Sequence, residues 1–193
     1  MKQAMIFAAG LGTRLRPLTD TMPKALVRVG GEPLLHRVIM NLKSAGFERI
    51  VVNVHHFAEQ IIDYLKTNDN FGLDIRISDE SDALLDTGGG IRKAAPLFDP
   101  SSPILIHNVD ILHNVDLATF YESAISHDAT LMVSERKTSR YLIFNDEMRL
   151  RAWINIKTGE VKPQPSQSTE GTREAFPGLH VFSPRLFPFM EKW

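Results

Sequence analysis

The sequence predicts a three-layer α/β fold, a mostly parallel sheet with helices on both faces. Three observations carry this expectation. The apolar runs Ala4-Met5-Ile6-Phe7-Ala8, Ile50-Val51-Val52-Asn53-Val54 and Ile104-Leu105-Ile106-His107 are too short for buried helices, and they are continuous rather than alternating, as strands covered on both faces are. Longer segments between them carry apolar residues at three- and four-residue spacing. The two patterns alternate through about residue 135, the order that builds parallel sheets.

In chain order, residues 4–8 form the first strand and open into Gly10-Leu11-Gly12. Leu34, Leu35, Val38, Ile39 and Leu42 make a helical stripe over residues 33–45, with Pro33 in the first turn and Gly46 as the C-terminal cap. Residues 50–54 are the next strand, and residues 57–66 a helix with Phe57, Ile61, Ile62 and Leu65 on one side. A short strand at 73–78, a helix at 87–97 opening from three glycines, a buried strand at 104–107 and a helix at 117–127 follow. Residues 130–135 are a β-rich run. The pattern then changes. Residues 141–144 and 150–154 are short strands around the polar turn Asn145-Asp146-Glu147, and residues 162–173 are a proline-bearing polar loop. Leu179-His180-Val181-Phe182 is a last core strand, and a helix begins at Pro184.

A chain of 193 residues, 43% hydrophobic and 23% charged, supports one well-cored domain, expected over residues 1–193. A net charge of −1 supplies no basic field, which argues against a nucleic-acid partner. Without cysteine there is neither a disulfide framework nor a thiolate zinc site. No apolar stretch reaches membrane-spanning length, and the N-terminus runs directly into a strand rather than a signal peptide, so a cytoplasmic location is expected. Apolar residues are still arriving at Trp193, so the domain is expected to lack its C-terminal part. Nothing in the sequence sets an oligomeric state.

The stretch richest in chemistry is Ala8-Ala9-Gly10-Leu11-Gly12-Thr13-Arg14-Leu15-Arg16-Pro17-Leu18-Thr19, closed by Pro23-Lys24. A strand end that opens into Gly-x-Gly lets backbone N–H groups face a phosphate, because glycine tolerates positive φ and close approach. Thr13 adds a hydroxyl, and Arg14, Arg16 and Lys24 add positive charge. From residue chemistry alone this is an anion cradle suited to a polyphosphate. A dinucleotide fingerprint would need a third glycine where Leu15 stands and an acid where Asn53 ends the second strand. A Walker A loop would need Gly-Lys-Ser/Thr, and the chain has Gly12-Thr13-Arg14. A glycine turn with surface basics explains the glycines, but not Thr13 and three basic residues beside one strand end.

Asp110 follows Ile104-Leu105-Ile106-His107-Asn108-Val109, just past a strand end, where open α/β sheets bind ligands. A carboxylate there suits Mg²⁺, which bridges protein to substrate phosphate; a turn or helix cap is its other use. Asp86-Thr87-Gly88-Gly89-Gly90-Ile91 opens a helix with free N–H groups and no side chains in the way, and a ligand-free tight loop is the alternative. The acidic run Asp79-Glu80-Ser81-Asp82 is expected to be solvated. His55 and His56 point to opposite faces of a strand, so no metal site is expected there.

The ordered string from Ala8 to Thr19 with Pro23-Lys24 resembles the signature of the sugar-1-phosphate nucleotidyltransferases, and Thr87-Gly88-Gly89-Gly90-Ile91 is similar to the muramic acid 1-phosphate uridylyltransferase branch, which lies near the mannose-1-phosphate guanylyltransferases. The resemblance implies a Rossmann-like fold of the nucleotide-diphospho-sugar transferase type. It also implies an enzyme that moves a nucleoside monophosphate from a nucleoside triphosphate, UTP favoured, to a sugar 1-phosphate, with Mg²⁺ as cofactor and pyrophosphate released. It places Ala8, Ala9, Gly10, Leu11, Gly12, Thr13, Arg14 and Lys24 on the nucleotide, with Gly88 and Gly89 beside the base. Arg14, Lys24 and Asp110 are the expected catalytic set, Asp110 the metal ligand, and Asn108 and Gly178 the sugar contacts. Val109 stands where the family has glycine, so the backbone there is expected to differ. Glu160-Val161-Lys162-Pro163 is similar to a Glu-Lys-Pro element that holds the sugar phosphate, with Val161 inserted. The family also carries a second metal-binding aspartate that has no counterpart before Trp193. A nucleotide-binding relative that does not turn over is therefore the alternative.

Overall fold

The central strand is β1, Lys2–Phe7, whose Ala4, Met5 and Ile6 are fully buried, because apolar side chains on both of its faces need cover on both. In the computed structural model, which describes residues 1–163 and 170–190, contacts gather into two units: residues 1–130 with the segment from His180, and residues 131–179. β1 pairs in parallel with β4 (Phe47–Val54) and β6 (Ile104–Asn108), and β4 pairs in parallel with β5 (Asp74–Asp79). With β7 (Ala129–Leu131) and β12 (Leu179–Phe182) added, the sheet order is β5-β4-β1-β6-β12-β7. A hairpin of β2 (Arg28–Val29) and β3 (Glu32–Pro33), turning at Gly30-Gly31, was not legible in the hydropathy pattern.

Period-two alternation assigns the sheet's two faces. Met5, Val51 and Ile106 lie in one register row and pack with Ile91 and Ala94 of α3 (Asp86–Ala94) and with Phe98. Ile6, Ile50, Val52 and Leu105 point the other way and are equally buried, and α1 (Leu34–Ser44) packs on β4 with Leu35, Ile39 and Leu42 inward. α1 begins directly after Pro33 and is closed by Gly46 at φ +81. α2 (Ala58–Thr67) meets α1 through His36 Nδ1 and Tyr64 Oη, 3.1 Å apart. α4 (Leu117–Ala124) starts at Asp116, whose carboxylate accepts from the Thr119 amide at 3.0 Å.

The first row of the sheet is polar where it must be. Gln3 is fully buried, yet its amide donates to the carbonyls of Asp99 (2.8 Å) and Ser102 (2.7 Å) while its Oε1 accepts from the Asp99 amide (2.9 Å). The last row is polar too: Phe7 is in register with Asn53 and Asn108, and Asn53 with Ser78. The strand ends thus present hydrogen-bonding groups directly above an apolar core.

Beneath that end two histidines form an ordered chain. The Val115 amide donates to His113 Nδ1 (3.2 Å), which leaves His113 Nε2–H to donate to His107 Nε2 (2.9 Å) and His107 Nδ1–H to donate to the Asn108 carbonyl (2.7 Å). Every nitrogen is used with both rings neutral, and an added proton breaks one link. Burial pushes His107 and His180 down to about 4. Both therefore bind their protons mainly in the unfolded chain between about pH 6.5 and 4. The stability they contribute is complete above the unfolded value and is lost as pH falls toward the folded one. Urea melts at pH 7, 5.5 and 4.5 should show a falling midpoint, and His107→Gln should flatten that fall by roughly 1–3 kcal/mol over the range.

The second unit is an antiparallel sheet of β8 (Arg140–Phe144), β9 (Leu150–Asn155), β10 (Glu160–Lys162) and β11 (Thr172–Glu174), in the order β10-β9-β8-β11. The segment 162–173 was expected to be loop throughout. Its two ends are edge strands instead, because ladder hydrogen bonds need no apolar side chains, and residues 164–169 lie outside the described residues. The run at 130–135 continues past Leu131 as separate links, the Met132 amide to the Leu179 carbonyl (3.0 Å) and a bridge between Ser134 and Ala175. The helix expected from Pro184 is a 3₁₀ segment, Pro184–Phe189, consistent with Pro188 inside it.

Candidate functional site

The first unit gathers its chemistry at the C-terminal ends of β1, β4 and β6, starting with the turn after β1. Gly12 sits at φ +64, where its carbonyl accepts from the Leu15 amide (2.8 Å) and from Thr19 Oγ1 (2.9 Å). A Cβ on Gly12 would lie 2.8 Å from Thr19 Cγ2 and 3.0 Å from Lys24 Cβ, so both backbone angle and space demand glycine. Among the described residues the amides of Gly10, Leu11, Gly12 and Thr13 donate to no protein acceptor. The amides of Ala8 and Ala9 differ: both donate to Asn53 Oδ1, at 2.7 and 3.3 Å. The free donors of the turn therefore begin at Gly10, and the two alanines form its buried wall.

Lys24 opens a 3₁₀ turn after Pro23 and reaches across to Asp110, with Nζ paired to Oδ2. Asp110 lies two residues beyond β6, and its carboxylate engages this ammonium rather than capping a turn. Val109 is buried, has no positive φ and anchors its amide on the Phe7 carbonyl (3.2 Å), so the backbone there needs no glycine. Ala8, Ala9, Gly10, Lys24, Asn108 and Asp110 all line one cleft of about 230 Å³, closed on its other side by Leu84, Asp86 and Thr87. An adjoining depression of about 700 Å³ shares Gly10, Lys24, Leu84 and Asp110 with it and takes in Leu11, Gly12, Thr13 and Arg14. Arg14 is exposed there, whereas Arg16 turns to Asp20 at 3.3 Å.

The glycine run lies in the first turns of α3, within the helix expected over residues 87–97. Gly88 and Gly89 border a shallow depression of about 720 Å³ with Arg92 and Lys93, which shares Leu84 and Asp86 with the cleft. Gly90 closes the packing instead: a Cβ there would be 2.9 Å from Glu80 Oε1 and 3.1 Å from Phe7 Cε1. Gly178 precedes β12 at φ +102, in the second unit. Lys162, also in that unit, pairs with Glu160 at 3.3 Å and lies 5.5 Å over the Trp153 ring.

Two residues of the site went unassigned in the sequence. Asn53 is almost fully buried at the strand end, and Glu80, expected to be solvated, has no exposed surface. Asn53 Nδ2 donates to Glu80 Oε1 at 2.8 Å, and the Leu85 amide donates to Glu80 Oε2 at 3.3 Å. The signal for Asn53 was present, since a carboxamide within an apolar strand must find partners. An acidic run conceals which of its members turns inward.

The arrangement brings four free amides, a guanidinium and an ammonium to one side of a cleft and an oxygen ligand to the other. Such a set binds an anion with several phosphate-like oxygens. Among the described residues there is no group of three or more metal-ligating side chains. One carboxylate at a cleft mouth nevertheless fits Mg²⁺, which keeps its waters and takes substrate oxygens.

The nucleotidyl transferase family model matches residues 3–189. An N-acetylmuramate alpha-1-phosphate uridylyltransferase of Neisseria meningitidis serogroup B is 43% identical over 124 residues, 64% of this chain and 53% of that protein. A UTP–glucose-1-phosphate uridylyltransferase of Synechocystis is 29% identical over 205 aligned residues, 97% of this chain and 50% of that protein. The chain thus spans about half the length of these curated relatives. The crystal structure of HddC from Yersinia pseudotuberculosis shares the fold with a TM-score of 0.79 at 24% identity, covering 100% of this chain and 81% of that one.

Proposed function

This chain belongs to the nucleotidyl transferase family, in its sugar-1-phosphate branch, and from that premise we propose that it transfers a nucleoside monophosphate from a nucleoside triphosphate, UTP by preference, to a sugar 1-phosphate. The observation that carries the reading is the free-amide turn at Gly10–Thr13 with Arg14 and Lys24 beside it, facing Asp110 in one cleft. The uridylyltransferases among the relatives support UTP.

The chemistry asks little covalent help of the protein. A sugar 1-phosphate already carries an anionic oxygen near neutral pH, since its second ionisation falls at about 6. That oxygen forms a bond to the α-phosphorus as the bond from the α-phosphorus to the bridging oxygen breaks, and the electron pair leaves with pyrophosphate. The residues' work is alignment and charge neutralisation. The Gly10–Thr13 amides hold phosphate oxygens, Arg14 and Lys24 take up the charge that develops on the leaving pyrophosphate, and Asn108 faces the acceptor. Asp110 would hold Mg²⁺, which when bound neutralises the phosphates.

Lys24 has Asp110 as its partner, so an incoming phosphate competes with that carboxylate for the ammonium. Arg14 is exposed in the adjoining depression and meets the phosphates without such competition. Calorimetric titration with UTP, GTP, CTP and ATP in magnesium should give uptake with UTP tightest, and coupled detection should show pyrophosphate once a sugar 1-phosphate is added. Arg14→Ala should weaken triphosphate binding by about tenfold, the loss of one charge-assisted contact. Equal binding by that variant would take Arg14 out of the site.

A further inference from the structure

We propose that the buried Asn53–Glu80 pair is a positioning device that sets the width of the nucleotide cleft, linking the turn after β1 to the entrance of α3. This rests on the function proposed above and concerns two residues that border the cleft and to which that function assigns neither a step of the transfer nor a phosphate contact.

The link is a single string of hydrogen bonds. The Ala8 and Ala9 amides donate to Asn53 Oδ1, Asn53 Nδ2 donates to Glu80 Oε1, and the Leu85 amide donates to Glu80 Oε2. Both side chains are buried, Asn53 at 1% and Glu80 at 0% exposure, so none of these groups can turn to water instead. Each end of the string is a wall of the same cleft: Ala8, Ala9 and Gly10 on one side, Leu84, Asp86 and Thr87 on the other. Glu80 is held from behind as well, its amide donating to the Val54 carbonyl (2.8 Å) and its carbonyl lying 2.7 Å from His55 Nδ1. Gly90 lets α3 pack directly against the carboxylate. The carboxamide's two ends are not interchangeable here. Its oxygen faces two donors and its nitrogen faces a carboxylate, so the pair is fixed in both identity and orientation.

That polarity supplies a test by exchange of roles. Asn53→Asp still accepts from Ala8 and Ala9 but sets a second carboxylate against Glu80, driving the ends of β4 and β5 apart. Glu80→Gln can satisfy either Asn53 or the Leu85 amide, not both. In the double variant the carboxylate introduced at position 53 accepts from Ala8, Ala9 and the carboxamide nitrogen introduced at position 80. The oxygen of that carboxamide accepts from Leu85, so every bond is restored with one negative charge. The measurement is the dissociation constant of UTP with magnesium for wild type, both single variants and the double, well below their melting temperatures, with amide exchange at Ala8, Ala9 and Leu85 followed by NMR. Asn53→Asp should bind at least tenfold more weakly and Glu80→Gln severalfold more weakly. GTP affinity should fall by the same factor, because the pair sets spacing rather than reading a base. The double variant should return to within about threefold of wild type, with Glu80→Gln loosening exchange at Ala8 and Ala9 as well as at Leu85.

Single variants that melt earlier yet bind like wild type would reduce the pair to a brace and overturn the inference, as would a double variant no better than Asn53→Asp. A loss confined to UTP would overturn it in favour of base recognition. A wild-type chain that takes up no triphosphate would overturn the function proposed above, whereas variants indistinguishable from a binding wild type would overturn this coupling alone.

Discussion

Asp110→Asn should lower the rate of nucleotidyl transfer by on the order of 10²–10³-fold while leaving metal-free binding of the triphosphate as tight as in wild type or tighter. The two halves of that expectation have different origins. Turnover falls because the proposed ion loses its protein carboxylate, and an amide oxygen is a weaker ligand for a hard cation. Metal-free affinity holds or improves because Asp110 is the partner of Lys24. Removing its charge leaves the ammonium to the incoming phosphates. Lys24→Ala is the complement: it should lose both rate and affinity, since it deletes the cation and leaves Asp110 facing the phosphates. Pyrophosphate release gives the rates, and calorimetry in EDTA gives the affinities. Equal weakening of metal-free binding by both substitutions would remove the competition between carboxylate and phosphate from the mechanism.

The second large effect should come from Gly12→Ala, which is expected to cost on the order of 2–4 kcal/mol in stability and to abolish measurable triphosphate binding. The residue sits at φ +64 with two side chains already closer than an added methyl could accept. Thr19 Cγ2 is held in place by the hydroxyl's own bond to the Gly12 carbonyl, so it cannot swing aside without breaking the turn. For a chain of this size the melting temperature should fall by roughly 5–12 °C. Gly10→Ala is the matched control, two residues away in the same turn. It has no positive φ, and a Cβ there would meet nothing within 4 Å, so its stability should stay near wild type. Similar losses from both would mean that neither backbone angle nor crowding governs the turn.

What the sequence made legible was whatever depends on local pattern. β1, β4 and β6 announce themselves as continuous apolar runs, α1 by its stripe, and the turn after β1 by glycines at a strand end. The pairing of Lys24 with Asp110 was not legible, because it joins residues 86 positions apart and depends on how β6 lies beside β1. Glu80 was misread for the same reason: its neighbours Asp79, Ser81 and Asp82 are exposed, and the turn that sends one carboxylate inward is fixed by contacts with Asn53 and Leu85. The edge strands β10 and β11 escaped notice because their sequences, Glu-Val-Lys and Thr-Arg-Glu, join a sheet through backbone groups and carry little hydropathy. Gly88 and Gly89 fall inside α3, where the helix read over residues 87–97 places them; three successive glycines are poor helix formers, and they are held there by the packing of Gly90 and Ile91.

The position of β1 bears on how the sheet is assembled during synthesis. Of the strands in that sheet, the earliest to be made is an interior one, with β4 on one flank and β6 on the other, and the clamp from Gln3 closes on the Asp99 carbonyl 96 residues later. Until that stretch has been synthesised, Ala4, Met5 and Ile6 travel as a sticky open edge. Nascent chains halted before β6 should therefore be retained by chaperones, and release should follow only once β12, which covers the far edge of β6, has been made.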